Sequence, residues 1–234
     1  MQLSMKVSLL NLFVLVLLVI VPSAEAFEIK QVTSDRGIKA WLVEDHKNPL
    51  ITLQVLMNGG SSLDPKNKDG LAYLVSGLLD EGAWSLDSKS FQSSLEENSI
   101  SLSFNARTDT FSGTMSTLTE TSDEAFRLLR LSLNSPRFDQ DPMLRVTNQI
   151  LAGLRASKEN PNRIAGRLWW ELAFPKHAYG KQKKGNEKTL KLITQQDLKG
   201  FVKRTFSQDN LTVSVVGDIT PERLSTVLDQ VFGD

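Results

Sequence analysis

Cysteine is absent from the 234 residues, which excludes a disulfide framework, thiolate zinc sites, iron–sulfur ligation and a cysteine nucleophile. Histidine is scarce: His46 and His177 are the two in the chain, so any imidazole-dependent metal site or catalysis has to use one of those positions. Net charge is missing too. Lysine and arginine number 27 against 27 acids, with a pI near 6.8, so the chain lacks the overall electrostatic footprint of a nucleic-acid binder, and no nucleic-acid partner is expected. Long apolar runs are also lacking, apart from one near the start. With 40% hydrophobic residues, what remains is the composition of an ordinary globular protein.

That one apolar run covers residues 7–21, follows Lys6, and leads to small residues at Ala24-Glu25-Ala26. The pattern is that of a secretory signal, read as residues 1–26 with cleavage after Ala26. An uncleaved anchor is the competing reading. Fifteen residues span roughly 22 Å as a helix, short of the roughly 30 Å of hydrocarbon in a bilayer, so no stable membrane anchor is expected after cleavage. The mature chain, 27–234, is then periplasmic or secreted and long enough for one domain with a real core.

Periodicity changes repeatedly along the mature chain. Residues 28–33 and 38–44 alternate like strands around Ser34-Asp35-Arg36-Gly37, which predicts a hairpin, and 51–57 predicts a third strand. After a glycine-rich loop, Leu71, Leu74, Val75, Leu78 and Leu79 recur at helical spacing, predicting a helix that ends near Gly82, with another over about 87–98. Ile100, Leu102 and Phe104, then Phe111, Gly113 and Met115, predict two antiparallel strands. Thr121 and Glu124 have capping-box spacing at the start of the next helix. Helices over 142–159, 163–173 and 194–205, a strand over 211–215 and a last helix starting at Pro221 complete the pattern. The order lacks the regular alternation of a doubly wound sheet. It argues for an α+β fold, a mainly antiparallel sheet with helices packed on one side.

Several stretches in order resemble one family. Gly59-Gly60-Ser61-Ser62 followed by Asp69-Gly70-Leu71-Ala72-Tyr73-Leu74-Val75-Ser76-Gly77-Leu78-Leu79, then Pro136-Arg137-Phe138, Asn160-Pro161, the segment from Phe174 through His177-Ala178-Tyr179-Gly180, and Asp209-Asn210-Leu211 through Gly217-Asp218 are similar to the insulinase/pitrilysin peptidases, the inverzincins. The resemblance covers nearly the whole mature chain. It implies an N-terminal module of a subunit type that carries two such modules, the second being absent from this chain. In that family H-x-x-E-H on the helix after the glycine loop holds zinc through two imidazoles, with the Glu as base. Here the matching positions are Tyr73, Ser76 and Gly77, and the third ligand, a Glu on a later helix, maps near Gly153, with Glu159 the nearest acid. None of these is a normal zinc ligand set. The expectation is therefore a zinc-less, non-catalytic subunit with no cofactor of its own, completing a peptide-binding chamber with a zinc-bearing partner subunit. An extended peptide would add to an edge strand at Phe104, Asn105, Ala106 and Arg107, as the resemblance implies. The alternative is a structural or peptide-binding scaffold with no part in proteolysis.

The other candidates each carry a plain reading. His46 in Asp45-His46-Lys47 and His177 read as a solvated loop residue and a structural loop residue. Asp80-Glu81 and the run Lys181, Lys183, Lys184 read as solvated, although the lysines could also meet anionic lipid or a partner. Asn210-Leu211-Thr212 fits a glycosylation sequon but falls at an expected buried strand. Trp169-Trp170 sits in a helical stretch, so one indole is expected in the core, with a subunit contact as the alternative.

Overall fold

A computed structural model describes residues 28–233, and the expected signal at 1–26 lies outside the described residues. Six strands form one sheet in the order β1-β2-β6-β3-β5-β4. They are β1 (Lys30–Thr33), β2 (Lys39–Glu44), β3 (Leu50–Asn58), β4 (Ser101–Ala106), β5 (Thr110–Leu118) and β6 (Leu211–Gly217). All pairings are antiparallel except β2 with β6. The hairpin turn is as expected, with Gly37 at φ +84° closing onto the Ser34 carbonyl.

Eight helices are described: α1 (Leu71–Ser76), α2 (Ser88–Glu97), α3 (Ser122–Asn134), α4 (Gln140–Ser157), α5 (Pro161–Ala173), α6 (Glu187–Leu190), α7 (Gln195–Thr205) and α8 (Pro221–Phe232). The strands alternate strictly, and in β3 every second residue, Ile51, Leu53, Val55 and Met57, is buried. One sheet face thus carries the core, while the other shows Trp41, Leu56, Thr52 and Gln54 to solvent. Onto the core face pack Leu71, Leu74, Phe91, Leu128, Leu129, Phe201 and Leu228. Phe111 stands among Phe201 and Phe206, with ring centroids 5.8 and 5.1 Å away. Burying each such side chain stabilises the fold by about 1.5–3 kcal/mol before chain entropy is counted. The fold class is α+β, as the order of elements predicts.

Three local expectations differ from what is observed. The helix expected to run to Gly82 stops at Ser76, and the chain continues to Glu81 in turns closed by three-residue hydrogen bonds such as Leu78 N–H to Val75. Leu78 and Leu79 stay fully buried in those turns, so their apolar spacing reports burial rather than helix. The Thr121 and Glu124 capping box does not form. Thr121 belongs to a 3-10 turn and its hydroxyl meets Thr117 and the Leu118 carbonyl, while Glu124 holds Ser94 and Arg127 instead. A reciprocal capping box does form at Asn186 and Thr189, opening the short helix α6, which the periodicity did not indicate.

Most different is the tryptophan pair. Neither indole enters the core: Trp169 and Trp170 are 59% and 45% exposed, and α5 buries none of its residues.

Candidate functional site: a cleft at the sheet edge

Helix α1 is short and needs an anchor. Asp64 supplies it, one carboxylate oxygen accepting from the Gly70 N–H at 2.8 Å and the other from the Ala72 N–H at 2.9 Å, so two of the helix's orphan donors are satisfied. Asp64 is itself buried, and desolvation pushes its carboxyl up to about 6 against the pull of those N–H groups. Asp80, beyond the same helix, is likewise raised to about 6 by burial.

Helices α1 and α4 and the edge strand β4 enclose a cleft of about 340 Å³, lined by Tyr73, Ser76, Gly77, Glu81, Phe104, Asn105, Val146, Gln149, Ile150, Gly153 and Lys184. All four positions that the resemblance equates with zinc ligands or base, Tyr73, Ser76, Gly77 and Gly153, therefore meet in one cleft. Their chemistry does not fit the metal. The Ser76 hydroxyl donates to the Tyr73 carbonyl at 2.8 Å, and two glycines offer no ligand atom. The Glu81 carboxylate is taken by Arg145 and by the Ser88 hydroxyl. Among the described residues no group of three or more His, Asp or Glu side chains is placed to hold a metal ion. The Tyr73 ring instead receives the Lys184 ammonium at 4.7 Å, a cation–π contact.

The two glycines differ in a way that matters for variants. A Cβ at Gly77 would stand 3.0 Å from Val146 Cγ1, so its absence lets α1 approach α4 closely, whereas a Cβ at Gly153 would meet nothing within 4 Å. Gly153→Ala is accordingly expected to stabilise the protein by about 1 kcal/mol through helix propensity. Gly77→Ala is expected to lower the melting temperature, because Val146 must give way. Thermal melts of both variants check this.

Strand β4 forms one margin of the sheet and pairs along its other side with β5. The hairpin hydrogen bond from the Arg107 N–H to Thr110, together with the register, directs Ser101, Ser103 and Asn105 toward β5. By alternation the main-chain groups of Leu102, Phe104 and Ala106 point outward, toward the cleft side. Of the expected substrate-binding residues, Phe104 and Asn105 line the cleft and Ala106 is a buried strand residue. Arg107 lies past the end of β4, its carbonyl accepting from the Ser61 N–H of the glycine loop, which closes that end of the edge.

Gln149 and Glu81 also face the cleft, and neither was singled out for it from sequence; Lys184 was read as part of a solvated loop. They come from separate segments, and no spacing links them. The plain reading of Asp80 and Glu81 as solvated is corrected, since the Glu81 side chain is only 12% exposed and ion-paired. His46 is an exposed loop residue as expected, its side chain 53% exposed, and its ring nitrogens lie 2.6 Å from Asp218 and 3.4 Å from Glu44. These hydrogen bonds, to Asp218 first, raise the His46 pKa. His177 does have a structural role, its Nδ1 accepting from the Tyr179 N–H at 3.2 Å. The Asn210 carboxamide is held by the backbone of Asn58 and Thr205.

These shifts set a pH dependence. Asp64, Asp80 and His46 all have folded pKa values above their unfolded ones, so each contributes stability at low pH that is lost as pH rises through its folded value. Glu124 and Asp197 are shifted down and contribute stability that is lost only as pH falls below the ordinary carboxylate range. The melting temperature is therefore expected to fall from pH 5 to pH 7.5, Asp64 alone contributing about 1.4 kcal/mol of the difference. A melt series across pH 4–8 measures it, and in Asp64→Asn the slope between pH 5 and 7.5 should shrink.

Comparison with known proteins gives the same family throughout. The profile of Insulinase (Peptidase family M16) matches residues 39–186 and that of the Peptidase M16 inactive domain matches 192–234. A protein named non-peptidase homolog YmxG, from Helicobacter pylori, is 30% identical over 190 residues, covering 80% of this chain and 44% of its own length. An uncharacterized zinc protease of Rickettsia felis is 20% identical over 188 residues, covering 78% of this chain and 44% of its own. Among solved structures, a peptidase M16 inactive domain from Pseudomonas fluorescens superposes with a TM-score of 0.83 at 25% identity, over 88% of this chain and 50% of that one. The chain thus spans about half the length of the relatives it matches. Carrying that family's fold, with Tyr73, Ser76, Gly77 and Gly153 where the resemblance expects zinc ligands and base, the chain belongs to the insulinase family, peptidase family M16.

Proposed function

We propose that this chain is a non-catalytic module of an insulinase-type peptidase assembly: it supplies one wall of a peptide-binding chamber, and a zinc-bearing partner subunit supplies metal and base. The observation that carries the reading is the cleft. It keeps the helix-and-edge-strand arrangement that would hold an extended peptide, yet replaces each zinc-binding or basic side chain by Tyr73, Ser76, Gly77 or Gly153. A peptide added to β4 would be held by the outward main-chain groups of Leu102, Phe104 and Ala106, with Phe104 and Asn105 shaping the adjacent pockets. Because main-chain hydrogen bonds provide most of the affinity, little sequence preference is expected in the peptide.

The names borne by two of the relatives, non-peptidase homolog and inactive domain, support a module without peptidase activity. The partner and a periplasmic or secreted location are part of the proposal, the latter motivated by the signal-like segment 1–26. The test is co-expression with an H-x-x-E-H-bearing family member from the same cell, followed by size exclusion. Co-elution, with the mature chain beginning at Phe27 by intact mass, is the expected result. If the two elute separately while this chain still binds extended peptides, the scaffold reading takes its place.

A further inference from the structure

Helix α5 is the least explained part of the molecule. Its sequence is strongly amphipathic: Ile164, Leu168 and Leu172 recur every four residues along one ridge, with Trp169 beside them. Such a ridge ordinarily faces a core. Here it faces outward, with Leu168 45%, Trp169 59% and Leu172 80% exposed, and the 3-10 turn Ala178–Gly180 is the main element packed on the helix. Trp170 lies on the other flank, its ring 5.2 Å from Phe174 and 6.3 Å from Tyr179, so the ridge is held out on an aromatic base.

Charge around this ridge is as unbalanced as the whole chain is balanced. Residues 155–184 hold eight Lys and Arg against two acids, Glu159 and Glu171, in a protein with 27 of each sign. Arg155, Lys158, Arg163 and Arg167 surround a cavity of about 380 Å³ beside the helix, floored by Leu151, Leu154 and Ile164 and lined by one carboxylate, Glu187, which Lys191 binds at 2.9 Å. None of the four forms a salt bridge among the described residues; Arg163 donates to the Ser157 hydroxyl at 3.1 Å.

From this combination we propose that the α5 face docks reversibly on an anionic phospholipid surface. Leu168, Trp169 and Leu172 would enter the boundary between headgroups and acyl chains, and the flanking cations would meet phosphate and carboxylate headgroups. An exposed apolar ridge edged by tryptophan and unpaired cations, lying along rather than across a membrane, is the pattern of an interfacial helix. The charge selects this occupant: beside the cavity four cations face one carboxylate, Glu187, which is already bound to Lys191, so an apolar partner surface would desolvate them with too little counter-charge. The proposal is independent of what β4 binds.

The test needs a readout local to α5, because the apolar run 7–21 can itself meet membrane. That run contains no tryptophan. The full chain carrying Trp41→Phe, Trp84→Phe and Trp170→Phe keeps Trp169 as its one indole. It is mixed with vesicles of phosphatidylcholine containing about one-third phosphatidylglycerol, with and without brominated acyl chains. Quenching of Trp169 by roughly half is expected, falling several-fold when salt rises from 50 to 300 mM and when Arg163→Glu and Arg167→Glu are added. Unquenched Trp169 on anionic vesicles overturns the proposal, as does equal quenching on pure phosphatidylcholine. A dimer at micromolar concentration that Leu172→Glu dissolves, without quenching, would instead assign the ridge to a second copy of the chain.

Discussion

Zinc affinity in the variant Tyr73→His/Ser76→Glu/Gly77→His is expected to remain weak, and adding Gly153→Glu to raise it by at least about 100-fold. Two imidazoles one helical turn apart leave a tetrahedral ion half unsatisfied by protein, whereas a carboxylate reaching from α4 across the cleft would close the set. The structure favours the fourth substitution sterically, since a side chain at Gly153 grows into open space. It disfavours the third, because Gly77 is pressed against Val146. The series is therefore best built with Val146→Ala, which makes room for the imidazole, and each variant's melt shows whether α1 and α4 have stayed in place. Competition against a chromophoric chelator gives the affinities. Tight stoichiometric zinc in the parent chain would contradict the reading of the cleft, as would tight zinc in the three-residue variant without Gly153→Glu.

Phe104→Pro is expected to weaken binding of an extended peptide by a factor of ten or more while leaving the fold intact. The argument is one of direction. Phe104 sits opposite Gly113 at a pair that does not exchange hydrogen bonds with β5, so its N–H points to the open edge and its loss costs the sheet no ladder bond. Removing an outward donor deprives the peptide of one main-chain hydrogen bond, and the proline ring also obstructs the strand that would lie alongside. Phe104→Leu keeps the N–H and is expected to bind within a few-fold of the parent. Ser103→Pro removes a bond made to β5 and is expected to destabilise the sheet. Fluorescence anisotropy of a labelled decapeptide, together with melts, separates the three. Undiminished binding by a folded Phe104→Pro would place the peptide elsewhere.

The parts of this fold that were legible in the sequence are those whose signal is local. Alternation marks β3 and β5 because one face of each is buried, and Gly37 marks the first hairpin because the turn needs a positive φ. What pairs with what was not legible. Strand β6, late in the chain, inserts between β2 and β3, a placement set by packing between segments far apart rather than by anything in its own seven residues. The capping-box spacing at Thr121 and Glu124 was a real pattern with a competing outcome, since Thr117 and Arg127 offered those side chains better partners. In α5 the periodicity correctly gave a helix with an apolar ridge, but periodicity cannot say whether a ridge faces a core, and this one does not. The cleft was half legible. Tyr73, Ser76, Gly77 and Gly153 follow from the resemblance, whereas Gln149, Glu81 and Lys184 reach the same space only through the fold.

The most direct measurement is turnover of a fluorogenic peptide by this chain alone, with zinc supplied, and again after mixing with an H-x-x-E-H-bearing partner. No chelator-sensitive cleavage is expected from the chain by itself, because the cleft offers neither a ligand set nor a free carboxylate base, and the partner's rate is expected to rise on mixing. Chelator-sensitive cleavage by the purified chain alone would contradict a non-catalytic role.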